Sequence, residues 1–290
     1  MKPKLNPQKL IRPLLKRNPD THKNDYGHLL IISGSLGLSG APVLCSTAAL
    51  RSGAGLVSMV VPRSVYFQTS SRSLEAMVYP VAETAQGGTV SPSASNLIGI
   101  LMKRATVLAI GPGMGRHPKT DALIQKVVLQ SDVPVVIDAD AINAFSGNSR
   151  LLKNTRAPLI LTPHPGEMAR LLGIPTEAVE RDRKAVALRA AKTLGQCIVL
   201  KSHQTLVADP SGNLYRNTTG NPGMATAGAG DVLTGIIAAL LGQGLLPFEA
   251  SVAAVYLHGL AGDIAAEQVG QISLIAGDII NALPAAFHSR

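Results

Sequence analysis

The feature that most restricts the fold of this chain is the exchange of two hydrophobic rhythms along its length. Short apolar runs occur at Leu29–Ile32, Leu56–Val61, Val107–Ile110, Val133–Ile137, Leu159–Leu161 and Ile198–Leu200. They are continuous rather than alternating, as expected of strands buried on both faces. Longer stretches of helical period occupy Ala41–Arg51, Asp121–Leu129, Gly166–Leu172, Thr176–Leu194, Asp231–Leu241, Phe248–Val269 and Ala276–Phe287. Strand followed by helix followed by strand implies right-handed βαβ units. The class is therefore α/β, with a mostly parallel central sheet and helices on both faces. Thr205–Ala208 and Leu214–Arg216, around Asp209-Pro-Ser-Gly212, read as a hairpin beside the main sheet. Neither an internal repeat nor an interdomain linker is visible. The expected organisation is a basic segment over residues 1–22 and one domain over 23–290.

Composition narrows the function. Of 290 residues, 46% are apolar and only 16% charged, which leaves ample core material and no case for disorder. The 27 basic against 18 acidic residues give a net charge of +9. Seven of the basic ones (Lys2, Lys4, Lys9, Arg12, Lys16, Arg17, Lys23) fall in the first 23 positions, and the rest are dispersed. Aromatics are 3% and Trp is absent, against the stacking platforms that single-stranded nucleic acid requires. A mild positive field that attracts small nucleotide anions is the better interpretation. Cys45 and Cys197 form no Cys-x-x-Cys and no ligand cluster, which suits a reducing cytoplasm. No apolar run approaches the ~18 residues that span a bilayer, and the charged, proline-bearing N-terminus lacks a secretory apolar core.

Chemistry concentrates in Asn221-Pro-Gly-Met-Ala-Thr-Ala-Gly-Ala-Gly-Asp231. Gly228, Ala229 and Gly230 lead to Asp231 where a helix should begin. Free N–H groups at a helix start bind anions, and the helix dipole favours negative charge there. Asp231 then sits beside a bound phosphate, in reach of an attacking hydroxyl. An ordinary helix start with a first-turn carboxylate would look the same, so the other loops have to decide. Four of them carry glycine, proline or carboxylate after an apolar run: Gly34–Gly40, Gly111-Pro-Gly-Met-Gly115, Asp138-Ala-Asp140 and Thr162-Pro-His-Pro-Gly-Glu167. In open α/β sheets ligands bind beyond the carboxyl ends of the strands, where these loops fall. Standard signatures fail. Neither Gly34/Gly37/Gly40 nor Gly111/Gly113/Gly115 has dinucleotide spacing, no Walker motif exists, and no Gly-x-Ser-x-Gly elbow appears.

Taken together, Lys23-Asn-Asp-Tyr-Gly-His28, Gly111-Pro-Gly-Met-Gly115, Asp138-Ala-Asp-Ala141, Thr162-Pro-His-Pro-Gly-Glu167 and Asn221–Asp231 resemble, in this order, the ADP/ATP-dependent NAD(P)H-hydrate dehydratases of the ribokinase-like superfamily. The resemblance runs from about Lys23 to the C-terminus. It implies a ribokinase-like catalytic domain, and the chain looks like a stand-alone dehydratase without the epimerase domain fused to some relatives. The implied reaction uses ADP or ATP to phosphorylate the ring hydroxyl of the S form of hydrated NADH or NADPH. Phosphate is then expelled and the reduced nicotinamide regenerated. Magnesium, a homotetramer and a cytoplasmic location are implied as well, with no part for nucleic acid or membrane.

Residue by residue, the resemblance makes Asp231 the base, with Gly228, Ala229 and Gly230 donating backbone N–H groups to the transferring phosphoryl. Ala41, Gly113, Gly115 and His164 join Asp231 around the hydrate. Lys201, Ser202, His203, Gln204 and Thr205, with Asn221, Gly223 and Gly230, hold the nucleotide. Ala229 stands where Ser or Cys is common, and Ser202 where Gly is common. Glu167 acts on the metal through water, the direct metal ligands being unknown, and Asp138, Asp140 and Asn143 cap a strand end and shape the pocket. Pro222-Gly223 suits a type II turn closing over the nucleotide. His22, His28, His117, His258 and His288 form no metal spacing and carry no role. Two other readings share these residues: a small-alcohol kinase acting on a hydroxymethylpyrimidine or hydroxyethylthiazole, and a non-catalytic nucleotide sensor.

Overall fold

A computed structural model describes residues 5–289; Lys2 and Lys4 of the basic N-terminal cluster lie outside the described residues. One sheet runs through the molecule. Its strands are β1 (His28–Ile32), β2 (Leu56–Pro62), β3 (Met77–Val81), β4 (Val107–Ile110), β5 (Val135–Ile137), β6 (Leu159–Leu161), β7 (Cys197–Leu200), β8 (Leu206–Ala208) and β9 (Leu214–Arg216). They lie side by side in the order β3-β2-β1-β4-β5-β6-β7-β8-β9. Pairing is parallel from β3 through β7, and antiparallel from β7 to β8 and β8 to β9.

The continuous apolar runs have the cause anticipated for them. Leu29 and Ile31 of β1 point into a core on one face of the sheet, and Leu30 and Ile32 into a second core on the other. The first core is closed by the helices Gly40–Arg51, Ala229–Gly242, Pro247–Val269 and Ala276–His288. The second is closed by Ser95–Met102, Pro118–Gln130, Pro165–Leu172 and Arg183–Leu194. Helices thus cover both faces of a mostly parallel sheet, the ribokinase-like arrangement. Before β1, the short Pro7–Ile11 helix places Ile11 in the first core, and the Arg17 guanidinium stacks 3.8 Å above the Tyr26 ring. Among the described residues no helix is long and apolar enough to cross a membrane.

Several local expectations need correction. The hairpin is not beside the sheet: β8 continues it in register with β7, pairing Val199 with Val207. Strand β3 carried no sequence signal because it is a half-exposed edge interrupted by Pro80, a residue tolerated only where a ladder partner is missing. The single helix expected over Thr176–Leu194 breaks at Asp182, which leaves helical geometry (φ −146°, ψ 72°) and caps the next helix by accepting from the Ala185 N–H. Pro222-Gly223 forms a 3-10 turn over Pro222–Met224, not a type II turn. Gly223 keeps a negative φ because its N–H donates 3.0 Å to the Asn221 side chain.

Candidate active site

At the C-terminal ends of β6 and β7 a cavity of about 690 Å³ opens. His164, Lys201, Ser202, His203, Gln204, Thr205, Asn221, Ala229 and Gly230 all line it. Two separate expectations, the nucleotide loop and the glycine-led helix start, therefore meet on one wall. Gly223 is absent from the lining, and Asn221 faces it with its amide engaged elsewhere. The Asn221 Nδ2 donates to the Gly262 carbonyl and to Asp263 Oδ1, and the Gly220 N–H donates 2.8 Å to Asp263 Oδ2. Asp263, which no motif in the chain singles out, is the post on which this loop hangs.

The helix start has the geometry anion binding needs. Gly228 sits at the N-cap with φ +87°, a backbone state costly for any side chain. A Cβ there would also strike the Leu44 side chain. No side chain caps the helix; the Ala229 N–H donates 3.4 Å to the Thr226 carbonyl, and no acceptor among the described residues takes those of Gly230 and Asp231. Asp231 follows in the first turn, and its carboxylate makes no hydrogen bond to another described residue. Burial, helped by the Asp138 carboxylate, opposed by the Lys201 ammonium and helped again by Asp140, pushes Asp231 up to about 7.

Asp138 is the organising residue, in a role unlike the strand-end cap expected for it. It is wholly buried, and its side chain makes no cap bond to the helix that follows. Its Oδ1 accepts from the Thr162 hydroxyl (2.7 Å) and from Lys201 Nζ (2.6 Å), and its Oδ2 from the Thr234 hydroxyl (2.9 Å). Thr234 lies one turn beyond Asp231, so Asp138 ties the helix bearing Asp231 to the ends of β5, β6 and β7. Lys201 also lies 3.9 Å from Glu167. Burial works to lower its pKa, yet the carboxylates of Asp138 and Glu167 outweigh it and the net direction is up. Lys201 is thus a fixed positive charge at the cavity wall, not a solvated loop lysine.

His164 and Glu167 form a reciprocal cap on the Pro165–Leu172 helix. His164 Nδ1 accepts from the Gly166 N–H (3.0 Å), and Glu167 Oε2 accepts from the His164 N–H (2.8 Å). The ring remains half exposed at the cavity, with its Nε2 3.5 Å from Glu167 Oε1. Among the described residues no three His, Cys, Asp or Glu side chains converge as metal ligands.

Ala41, Gly113 and Gly115 lie outside this cavity but near one another. A Cβ on Gly113 would come within 2.8 Å of the Ala41 methyl, and the Gly115 N–H donates 2.8 Å to Asp140 Oδ2. Asp140 also raises the pKa of Asp231. Asp231 and Gly228 are themselves absent from the cavity lining; Asp231 directly follows Ala229 and Gly230, which line it, and feels the charge of the Asp140 that accepts from Gly115. Asn143 does not line this cavity; its Oδ1 accepts from Arg170 Nε (2.8 Å).

A mostly parallel sheet with helices on both faces, carrying a glycine-led helix start at its strand ends, defines a member of the ribokinase-like superfamily. A protein of that superfamily from Enterococcus faecalis superposes with a TM-score of 0.83 at 31% identity, covering 98% of this chain and 94% of that one. The chain belongs to the NAD(P)H-hydrate dehydratase family, whose model matches residues 29–285. It is 39% identical to the ADP-dependent (S)-NAD(P)H-hydrate dehydratase of Neisseria meningitidis, over 91% of this chain and 86% of that protein. It is 46% identical to the bifunctional NAD(P)H-hydrate repair enzyme of Moorella thermoacetica, over 93% of this chain but 51% of that protein. The chain spans about half the length of several curated relatives it matches. An ADP/ATP-dependent NAD(P)H-hydrate dehydratase of Bacillus subtilis, crystallised with ATP and Mg²⁺, superposes with a TM-score of 0.82 at 29% identity, covering 99% and 98% of the two chains.

Proposed function

We propose that this protein dehydrates the S form of hydrated NADH or NADPH at the expense of ADP or ATP. The observation that carries the reading is the setting of Asp231: a carboxylate poised near neutrality, at a helix start without a side-chain cap, directly after Ala229 and Gly230 of the cavity lining. A carboxylate is too weak to ionise an alcohol beforehand, so it accepts the proton only as the new bond to phosphorus forms. In the first step the substrate hydroxyl oxygen attacks the terminal phosphorus of the nucleotide, the bond from that phosphorus to its bridging oxygen breaks with AMP (from ADP) or ADP (from ATP) as the leaving group, and Asp231 takes the hydroxyl proton. The backbone N–H groups of Gly228, Ala229 and Gly230 face the oxygens on which charge accumulates. In the second step the ring nitrogen's electron pair expels the new phosphate, and loss of a neighbouring proton restores the double bond.

Lys201, Ser202, His203, Gln204 and Thr205 hold the nucleotide, with Lys201 supplying a point charge to its phosphates. His164, Ala41, Gly113 and Gly115 face the hydrate. The residues present suit a magnesium ion that arrives on the phosphates and keeps its own waters, since no ready-made ligand set converges. Glu167 would face it through water, and the ion would supply charge neutralisation on the phosphate oxygens. A cytoplasmic setting is supported by two free, buried cysteines. We take the assembly to be a homo-oligomer, a tetramer by family likeness.

The test is direct. The protein, magnesium and hydrated NADH are incubated with ADP or with ATP while the absorbance of the reduced ring is followed. Recovery with at least one nucleotide is expected; no recovery with either removes the reading. Formation of a stable phosphate ester from a hydroxymethylpyrimidine would point to the small-alcohol kinase instead.

A further inference from the structure

The loop after β3 has no part in the chemistry above, yet it ends beside the Ala41–Gly113–Gly115 cluster. β3 is an edge strand, separated from β1 and β4 by β2, so this loop has to reach back across the end of β2. Glu83 and Val90 bridge at its base, and the Thr84 N–H donates 2.8 Å to the Thr89 carbonyl. Near its tip the Gly88 carbonyl accepts from the Leu36 N–H at 3.1 Å. Gly115 holds φ +70° with no side chain of its own to anchor it. A Cβ there would lie 3.0 Å from the Thr89 methyl and 3.2 Å from the Ser35 hydroxyl, which donates 2.9 Å to the Gly113 carbonyl. The edge-strand loop is thereby fastened both to the loop that leads to Ala41 and to the loop that carries Gly113 and Gly115.

Three hydroxyls sealed from water set the geometry of this loop: Thr84, Thr89 and Thr120 are all buried. Thr84 Oγ1 lies 2.9 Å from Thr89 Oγ1, and Thr89 Oγ1 2.7 Å from Thr120 Oγ1. The Thr120 hydroxyl donates 2.9 Å to the Val90 carbonyl. Each hydroxyl owns one hydrogen. With Thr120 committed to Val90, Thr89 donates to Thr120, and Thr84 donates to Thr89 or to the Gln86 carbonyl 2.8 Å away. The chain therefore has one direction, and its members polarise one another. Thr120 belongs to the first turn of the Pro118–Gln130 helix, three residues into it and just beyond Gly115. Gly115 is thus held from two sides, by Asp140 at its N–H and by Thr89 at its open face. Packing alone would be met by valine, which has the same shape and avoids the desolvation of a hydroxyl. We propose that Thr89 and Thr120 are positioning residues for the hydrated nicotinamide: without touching it, they hold Gly113 and Gly115 at the spacing the ring requires. The inference rests on the hydrate occupying the Ala41–Gly113–Gly115 cluster, as proposed above.

Steady-state repair kinetics of the full chain, with Thr89→Val, Thr120→Val and Thr120→Ser beside the wild type, test it. Valine keeps the shape of threonine and removes the hydroxyl; serine keeps the hydroxyl and removes the methyl. Both valine variants should raise KM for the hydrate about tenfold, with kcat and the nucleotide KM within about twofold of the wild type. Thr120→Ser should stay close to the wild type in all three. A packing role predicts the reverse order, since only serine leaves a void. The inference is overturned by an unchanged hydrate KM in both valine variants, or by a rise shared equally by hydrate and nucleotide. Valine variants too unstable to assay overturn it as well, because the hydroxyls then serve the fold and not the site. In each of these cases wild-type turnover leaves the assigned reaction standing. A wild type that turns over no hydrate with either nucleotide removes the reaction itself, and the inference with it.

Discussion

At the scale of single residues, the site is a contest among charges over one small volume. Asp231 is expected to be essential for turnover and dispensable for binding. Asp231→Asn should cut the repair rate by roughly 10²–10⁴-fold, the usual worth of a positioned base, while calorimetry finds ADP affinity largely kept; unchanged turnover would favour the sensor reading. The raised pKa sets a second signature. Asp231 must be ionised to accept a proton, so kcat/KM, which reports the free protein, should climb with pH up to about 7 and level above it. For stability the sign is opposite. A folded pKa above the unfolded value means the protonated form is favoured by folding, so that contribution is complete at low pH and is lost as pH rises through about 7. Asp231→Asn should therefore raise the melting temperature at pH 8 more than at pH 5. Lys201 is the counterweight. Lys201→Met leaves Asp138 buried without its cation, and urea unfolding should show a loss of about 3 kcal/mol alongside weakened nucleotide binding.

Asp138 also marks the limit of what was legible. Its neighbours in sequence, Asp138-Ala-Asp140, pointed to a strand end and correctly placed it near the site. Its partners Thr162, Lys201 and Thr234 are 24, 63 and 96 residues away, and nothing local in the chain announces them. By contrast, the helix start at Gly228 to Asp231 could be read directly, because it is made by consecutive residues.

At the scale of elements, the parallel strands were readable because each is buried on both faces and carries an unbroken apolar run. Two of the elements misjudged, β3 and the helix over 176–194, fail that condition in opposite ways. The first is an exposed edge, and the second hides its cap within the charged run Glu180-Arg-Asp-Arg-Lys184. The helix that presents Asp231 lies flush against Gly40–Arg51, and Gly235 is the point of closest approach. A methyl there would run into the Cys45 carbonyl oxygen and lie 3.0 Å from the Ala48 methyl. Gly235→Ala should therefore destabilise the fold by about 1–3 kcal/mol through overpacking, although alanine is the better helix former. A melting curve that shifts upward would show the two helices free to part.

At the scale of the whole molecule, the net charge of +9 acts at a distance. Both proposed substrates are polyanions, so capture should be assisted by the field and screened by salt. Raising ionic strength from roughly 0.05 to 0.5 M should lower kcat/KM for the nucleotide several-fold and leave kcat nearly unchanged. A kcat that falls in step would place the salt effect on the chemistry instead.

The far end of the Asp231 helix has its own consequence. Gly242, its last residue, lies so close to Gly27, just before β1, that a Cβ on Gly27 would collide with the Gly242 backbone. The helix is a rigid rod of 14 residues, about 20 Å long, wedged at its tail and carrying Asp231 at its tip. Bulk added at the tail would swing the tip like a lever, so the placement of the Asp231 carboxylate depends on two hydrogens' worth of clearance where β1, an interior strand of the sheet, begins.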